Sequence, residues 1–104
     1  MEITSKELQT KIEAGESIIV DFWATFCAPC KVYKPIFEKV AESTDIQMYT
    51  MAVDNKENES YAVSLGIRAV PTTKSFKAGG EMFSKSGLIP EGELKGILEN
   101  LKAL

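Results

Sequence analysis

The run Ile18-Ile19-Val20-Asp21-Phe22-Trp23 is short, β-branched and aromatic, and it is apolar on both faces except at Asp21. A strand with one wet face alternates polar and apolar residues. A strand apolar on both faces belongs in the middle of a sheet, covered by helices on each side. In a chain of 104 residues such a sandwich leaves room for a single domain, residues 1–104.

The flanking segments supply the cover. Thr4 and Glu7 have the spacing of a capping box, Leu8 and Ile12 fall on one helical face, and Gly15 suits the stop. Beyond the strand, Val32, Ile36, Phe37, Val40 and Ala41 recur at helical spacing. Pro35 lies inside that helix, where it supplies no N–H and crowds the preceding turn, so a kink is expected. Ile46 to Val53 reads as a second strand ended by Asp54 and Asn55, and Ser60 to Leu65 as a short helix closed by Gly66. Thr72 to Phe76 and Glu81 to Ser86 flank Lys77-Ala78-Gly79-Gly80 as a hairpin. Leu94, Ile97, Leu98 and Leu101 mark a last amphipathic helix opening near Pro90, and Glu2-Ile3 adds a short strand. The order predicts an α/β fold, a central mixed sheet flanked by helices.

Charge and composition exclude several functions. The net charge is −3 and the 12 Lys and Arg residues are scattered, so no basic stripe exists to neutralise phosphates and autonomous nucleic-acid binding is not expected. Met1 to Ala14 carry no unbroken apolar run of the kind a secretory signal needs, and no stretch suits a membrane span. A cytoplasmic monomer is the expectation. With no histidine and two cysteines, neither a tetrahedral Cys/His metal site nor a His-dependent catalytic triad can be built within one chain. Asn58-Glu59-Ser60 matches a glycosylation pattern but, without a signal segment, reads as chance, and the glycines form no nucleotide-binding fingerprint.

The two cysteines are spaced Cys27-Ala28-Pro29-Cys30. Two intervening residues put both sulfurs on one side of a first helical turn. A ring this small constrains the unfolded chain by only about 2 kcal/mol, which suits a switch better than a brace. The strand ends near Trp23 and the helix begins near Cys27, where free N–H groups and the positive end of the helix dipole favour a thiolate. A free thiol with a pKa of about 8.5 is only about 3% ionised at pH 7, whereas one lowered to about 7 is roughly half ionised. Cys27, nearer the helix start and the solvent, is the expected attacker, and Cys30, one turn in, the expected resolving thiol. Pro29 fits a first turn, where its missing N–H costs nothing. On spacing alone, a pair of small core residues is the alternative.

Three blocks then carry a resemblance. Val20-Asp21-Phe22-Trp23-Ala24, with the cysteine motif, Lys31 and Pro35, is similar to the active-site block of the thioredoxin family. Gly66-Ile67-Arg68-Ala69-Val70-Pro71-Thr72 resembles the segment carrying that family's cis-proline, and Lys77-Ala78-Gly79-Gly80-Glu81 and Gly87 also have counterparts. The blocks fall in the family's order over nearly the full chain. Thioredoxins are themselves the reference case for a thiol lowered at a helix mouth.

The resemblance implies a thioredoxin fold and a general protein disulfide reductase. It implies that Asp21, desolvated within an apolar strand, has a raised pKa and exchanges protons with Cys30. The alternative for Asp21 is a simply solvated strand-end residue, which its flanking by Val20 and Phe22 in an apolar run disfavours. The resemblance further implies a cis Val70–Pro71 bond facing the cysteines, with the Val70 backbone free to pair with an extended substrate. From the residues alone an ordinary trans proline fits as well. Trp23, Phe26, Ala28, Pro29, Val70 and Gly87 with Leu88 would border the sulfur, while Phe22 reads as core. Four departures stand out. Thr50 occupies the place of a lysine that bacterial members carry near the buried acid, Phe26 a place usually filled by Trp and Ala28 one usually filled by Gly. Thr73-Lys74-Ser75 makes one strand less apolar than the family norm.

The expected partners are proteins containing disulfides and an NADPH-dependent flavoprotein thioredoxin reductase as electron donor, with no cofactor held by the chain itself. Two rivals remain: an oxidase or isomerase, which would work in an oxidising compartment, and a non-enzymatic clamp that uses the same apolar rim without turnover.

Overall fold

The computed structural model describes every residue from Met1 to Leu104. Its elements, in order, are α1 (Ser5–Glu13), β1 (Ile18–Trp23), α2 (Ala28–Ala41), β2 (Gln47–Ala52), α3 (Lys56–Ser64), β3 (Thr72–Lys77), β4 (Gly80–Ser86) and α4 (Glu91–Ala103). The capping box at α1 is present: Glu7 N–H donates to Thr4 Oγ1 at 3.2 Å and Thr4 N–H to Glu7 Oε1 at 2.9 Å. Gly15, one residue past the helix cap, turns the chain out of α1 with φ +77°.

The strand order is β2-β1-β3-β4. β1 runs parallel to β2 and antiparallel to β3, and β3 and β4 form the antiparallel hairpin. β1 is thus an inner strand, as its two apolar faces require. Glu2 adds a single parallel bridge to Thr50 on the outer edge of β2. Residues 78 and 79 form the hairpin turn, both with positive φ (54° and 86°), the conformation that matches the twist of a two-residue loop.

Side chains alternate across β1 and so build two apolar layers. Ile19 joins Tyr33, Phe37 and Val40 of α2 and Leu94, Ile97 and Leu98 of α4. Ile18, Val20 and Phe22 join Ile3, Leu8, Met51 and Phe76 on the opposite face, with Tyr61 and Leu65 of the α3 side packed against them. Asp21 shares the face of Ile19, the side on which α2 lies.

β3 stays buried despite its polar residues because they find partners within the fold. The Thr73 and Tyr33 hydroxyls lie 2.9 Å apart, Thr72 Oγ1 donates to the Ala69 carbonyl at 2.6 Å, and Lys74 Nζ donates to Glu81 Oε1 at 2.6 Å and Ser84 Oγ at 3.1 Å.

α3 begins at Lys56, four residues before the expected start at Ser60. Asn55, read as a strand terminator, is also the helix cap: its Oδ1 accepts the Glu57 N–H at 2.9 Å. Asn58 of the glycosylation pattern is buried; it accepts the Ser5 N–H at 2.8 Å and donates to the Ala52 carbonyl at 3.0 Å. No helix is long and apolar enough to cross a membrane.

Candidate active site

β1 delivers the chain to the mouth of α2, and Cys27 is the residue that caps it. Cys27 Sγ accepts the Cys30 N–H at 3.2 Å, one of the donors that a helix start leaves without a partner. The two cysteines form a disulfide, with Cα atoms 5.2 Å apart. The pair is asymmetric: Cys27 is half-buried, whereas Cys30 is 2% exposed. Ala28 and Pro29 between them face solvent, and Pro29 takes the first turn where no N–H is needed.

The Val70–Pro71 bond is cis, and the Val70 carbonyl oxygen lies 3.7 Å from Cys27 Sγ. Gly87 N–H donates to the Pro71 carbonyl at 2.7 Å, which ties the start of β3 to the end of β4. Gly87 has φ +93°, and a Cβ there would meet nothing within 4 Å, so backbone conformation and not space selects glycine.

Phe26, Leu88 and Trp23, also named from the sequence, take three different placements. Phe26 is 96% exposed immediately before Cys27. Leu88 packs against the α2/α4 apolar layer. Trp23 is half-buried; its indole N–H donates to Glu2 Oε1 at 2.8 Å, and Lys34 Nζ lies 5.2 Å from the centre of its ring. None of the surface depressions is lined by Cys27, Cys30 or Pro71.

Asp21 lies beneath this surface, 1% exposed, with neither carboxyl oxygen hydrogen-bonded. Its register partners are Thr50 on β2 and Thr73 on β3, but both hydroxyls are engaged elsewhere, Thr50 with Glu2 and Thr73 with Tyr33. Burial pushes the Asp21 carboxyl up to about 7, the Glu2 charge adds to the rise, and the Lys34 ammonium opposes it. Burial likewise raises the Tyr33 phenol. The sequence did not point to Glu2, Lys34 or the Tyr33–Thr73 pair. Lys34, one turn beyond Cys30, carries a helical-spacing signal; the others depend on sheet register and none was visible in the chain order.

A strand-to-helix turn capped by a cysteine, a second sulfur one turn in, and a cis-proline carbonyl beside them define a thiol–disulfide oxidoreductase. The Thioredoxin family model matches residues 1–100. Thioredoxin 1 of Synechococcus elongatus is 33% identical over 91 residues, covering 88% of this chain and 85% of the relative. Thioredoxin of Staphylococcus epidermidis is 33% identical over 99 residues, covering 95% and 94%. Among solved structures, a chloroplastic thioredoxin z superposes with a TM-score of 0.85 at 28% identity over 99% of this chain and 94% of that one. A thioredoxin variant from Halobacterium salinarum gives 0.84 at 33% identity over 95% and 86%. The chain belongs to the thioredoxin family, and its Cys27–Cys30 pair supports disulfide oxidoreductase function.

Proposed function

We propose that this chain works in the reducing direction, as a general protein disulfide reductase, and that its residues divide the work as follows. In the dithiol form the Cys27 thiolate attacks one sulfur of a substrate disulfide. A Cys27–substrate disulfide forms, the substrate's own S–S bond breaks, and the departing thiolate takes a proton from solvent. Asp21 accepts the proton of the Cys30 thiol, and the Cys30 thiolate attacks Cys27 Sγ. The Cys27–Cys30 bond closes and the second substrate sulfur leaves as a thiolate. The protein has lost two electrons and the substrate has gained them.

The observation that carries this reading is the asymmetry of the pair, a half-buried capping sulfur and a buried second one. The reachable sulfur suits attack. The sheltered one suits resolution, because only the bound mixed disulfide brings an electrophile to it. An Asp21 carboxyl near 7 is about half ionised at neutral pH, so it can both take and return a proton. The Val70 backbone beside Cys27 supports recognition of an extended substrate by strand pairing, bordered by Trp23, Phe26, Ala28, Pro29, Pro71 and Gly87. Reduction fits the cytoplasm, where thiols are kept reduced. We assign the chain there, as a monomer with one domain over residues 1–104, recharged by an NADPH-dependent flavoprotein thioredoxin reductase.

Insulin disulfide reduction driven by NADPH and a thioredoxin reductase tests the proposal. Turnover is expected for the native chain and complete loss for Cys27→Ser, while Cys30→Ser accumulates a mixed disulfide. If the doubly substituted Cys27→Ser/Cys30→Ser chain keeps its function, the chain is a clamp and not a reductase.

A further inference from the structure

The residues Met1 to Ile3 are fastened to β2 at a single point. Ile3 N–H donates to the Thr50 carbonyl and Thr50 N–H to the Met1 carbonyl, both at 2.9 Å. This bridge sets Glu2 over the edge of the sheet at Thr50, the register partner of Asp21. One oxygen of Glu2, Oε1, then receives two donors, the Thr50 hydroxyl and the Trp23 indole N–H, the latter at 2.8 Å. The first consequence is that the Thr50 hydroxyl, which register places beside Asp21, is turned to Glu2 and leaves Asp21 without a partner. The second is that the Trp23 indole, two residues beyond Asp21 on β1, is held by a carboxylate and not by solvent.

We propose that Glu2 is a positioning residue for the redox site: it fixes the Trp23 ring and, by withholding the Thr50 hydroxyl and adding its own negative charge, keeps the proton on Asp21. The inference rests on Asp21 as the proton acceptor of the resolving step, and it assigns the control of that proton to a residue 19 positions away in sequence.

The other groups facing Asp21 do not supply the same effect. From α2, Lys34 opposes it with a positive charge, and Tyr33 is a phenol whose hydroxyl is taken by Thr73. The Cys27–Cys30 disulfide at the mouth of α2 carries no charge. From α4, Glu93 acts on Tyr33 and is itself paired with Lys85 of β4, Nζ to Oε2 at 2.5 Å. From β3, Thr73 is uncharged. Glu2 is the one group on these elements whose charge reinforces burial at Asp21.

Glu2→Gln and Glu2→Ala separate the charge from the hydrogen bonds. Glutamine retains an acceptor oxygen for Trp23 and Thr50 but carries no charge; alanine removes both. The readout is the Asp21 carboxyl 13C resonance of the oxidised protein, followed against pH by NMR, with Asp21→Asn to assign it. Removing the charge is expected to lower the Asp21 midpoint by about half a pH unit in Glu2→Gln, with the Trp23 indole N–H resonance unchanged. Glu2→Ala is expected to lower the midpoint and move the indole resonance. An unchanged midpoint in both variants, with circular dichroism showing the native fold, overturns the inference. The pH profile of insulin reduction by the same variants tests the underlying reading separately. A midpoint that moves by NMR while the kinetic profile stays fixed supports the role of Glu2 and overturns Asp21 as the proton acceptor for Cys30.

Discussion

Asp21 is costly to keep where it is, and the cost has a definite pH dependence. In the unfolded chain its carboxyl loses its proton near 3.8; in the folded chain burial first, then Glu2, hold it until about 7. The folded state therefore binds more protons between these values. The stability this group leaves intact is fully present below about 3.8 and is lost as pH rises towards 7. At about 1.4 kcal/mol per unit, the full loss is at most about 4 kcal/mol. Glu7, Glu16, Asp54 and Glu91 titrate in the opposite sense, being held below their ordinary values by hydrogen bonds and lysines, but their windows lie at more acid pH. Asp21→Asn, which cannot ionise, is expected to match the native chain near pH 4, to gain on it up to about pH 7, and to hold that margin at pH 8. Urea midpoints across that range check this; parallel curves for the two proteins would refute it. The same substitution is expected to slow the resolving step. Asp21 could be singled out from sequence because a charged residue interrupts an apolar run. Glu2 could not, since its indole and hydroxyl donors lie 21 and 48 positions away and meet only when β1 and β2 pair.

The elements read most accurately are those whose pattern leaves one solution. β1 runs from Ile18 to Trp23 as expected, because no helix and no edge strand accommodates that run of apolar residues. α3 was read short, since Lys56-Glu57-Asn58-Glu59 is polar throughout and offers no apolar stripe; what starts the helix there is the Asn55 cap and acidic residues favoured in a first turn. β3 shows the converse limit. Its residues Thr73-Lys74-Ser75 make it less apolar than the family norm, yet Thr72 to Ser75 are buried, with partners on α2, β4 and the preceding loop for Thr72, Thr73 and Lys74. Asn58 is the clearest case of an element held by one polar side chain. It ties the first residue of α1 and the last residue of β2 to α3. Asn58→Ala leaves both backbone groups without their partner and is expected to destabilise the fold by about 2 kcal/mol. Because the Asn58 hydrogen bonds reach neither cysteine, the rate of insulin reduction per folded molecule should be unchanged; a chemical denaturation curve and an assay at low temperature measure the two effects. A loss of rate without a loss of stability would show that their effect reaches the redox site.

The disulfide and the fold act on each other by the same free energy. If closing the Cys27–Cys30 ring stabilises the folded chain relative to the unfolded one, the fold makes that disulfide harder to reduce by an equal amount. Two terms compete. Ring closure removes freedom from the unfolded chain and favours the oxidised fold by about 2 kcal/mol, small because only two residues lie between the cysteines. Against it, only the reduced fold holds a thiolate at the mouth of α2. Each unit by which the helix mouth lowers that thiol is worth at most about 1.4 kcal/mol, of which only a small part is realised at pH 7, where a free thiol is mostly protonated, and more at pH 9. The ring term thus wins at neutral pH. The oxidised chain should unfold at higher denaturant than the reduced one, by up to about 2 kcal/mol, and the Cys27–Cys30 couple should lie up to about 40 mV below that of an unstructured peptide with the same four residues. The margin should close as pH rises to 9. Paired unfolding curves of the oxidised and reduced protein at pH 7 and pH 9, set beside the measured potential, test both terms. A reduced form that is the more stable at pH 7 would mean that the helix mouth outweighs the ring, and would make this chain an oxidant in place of a reductant.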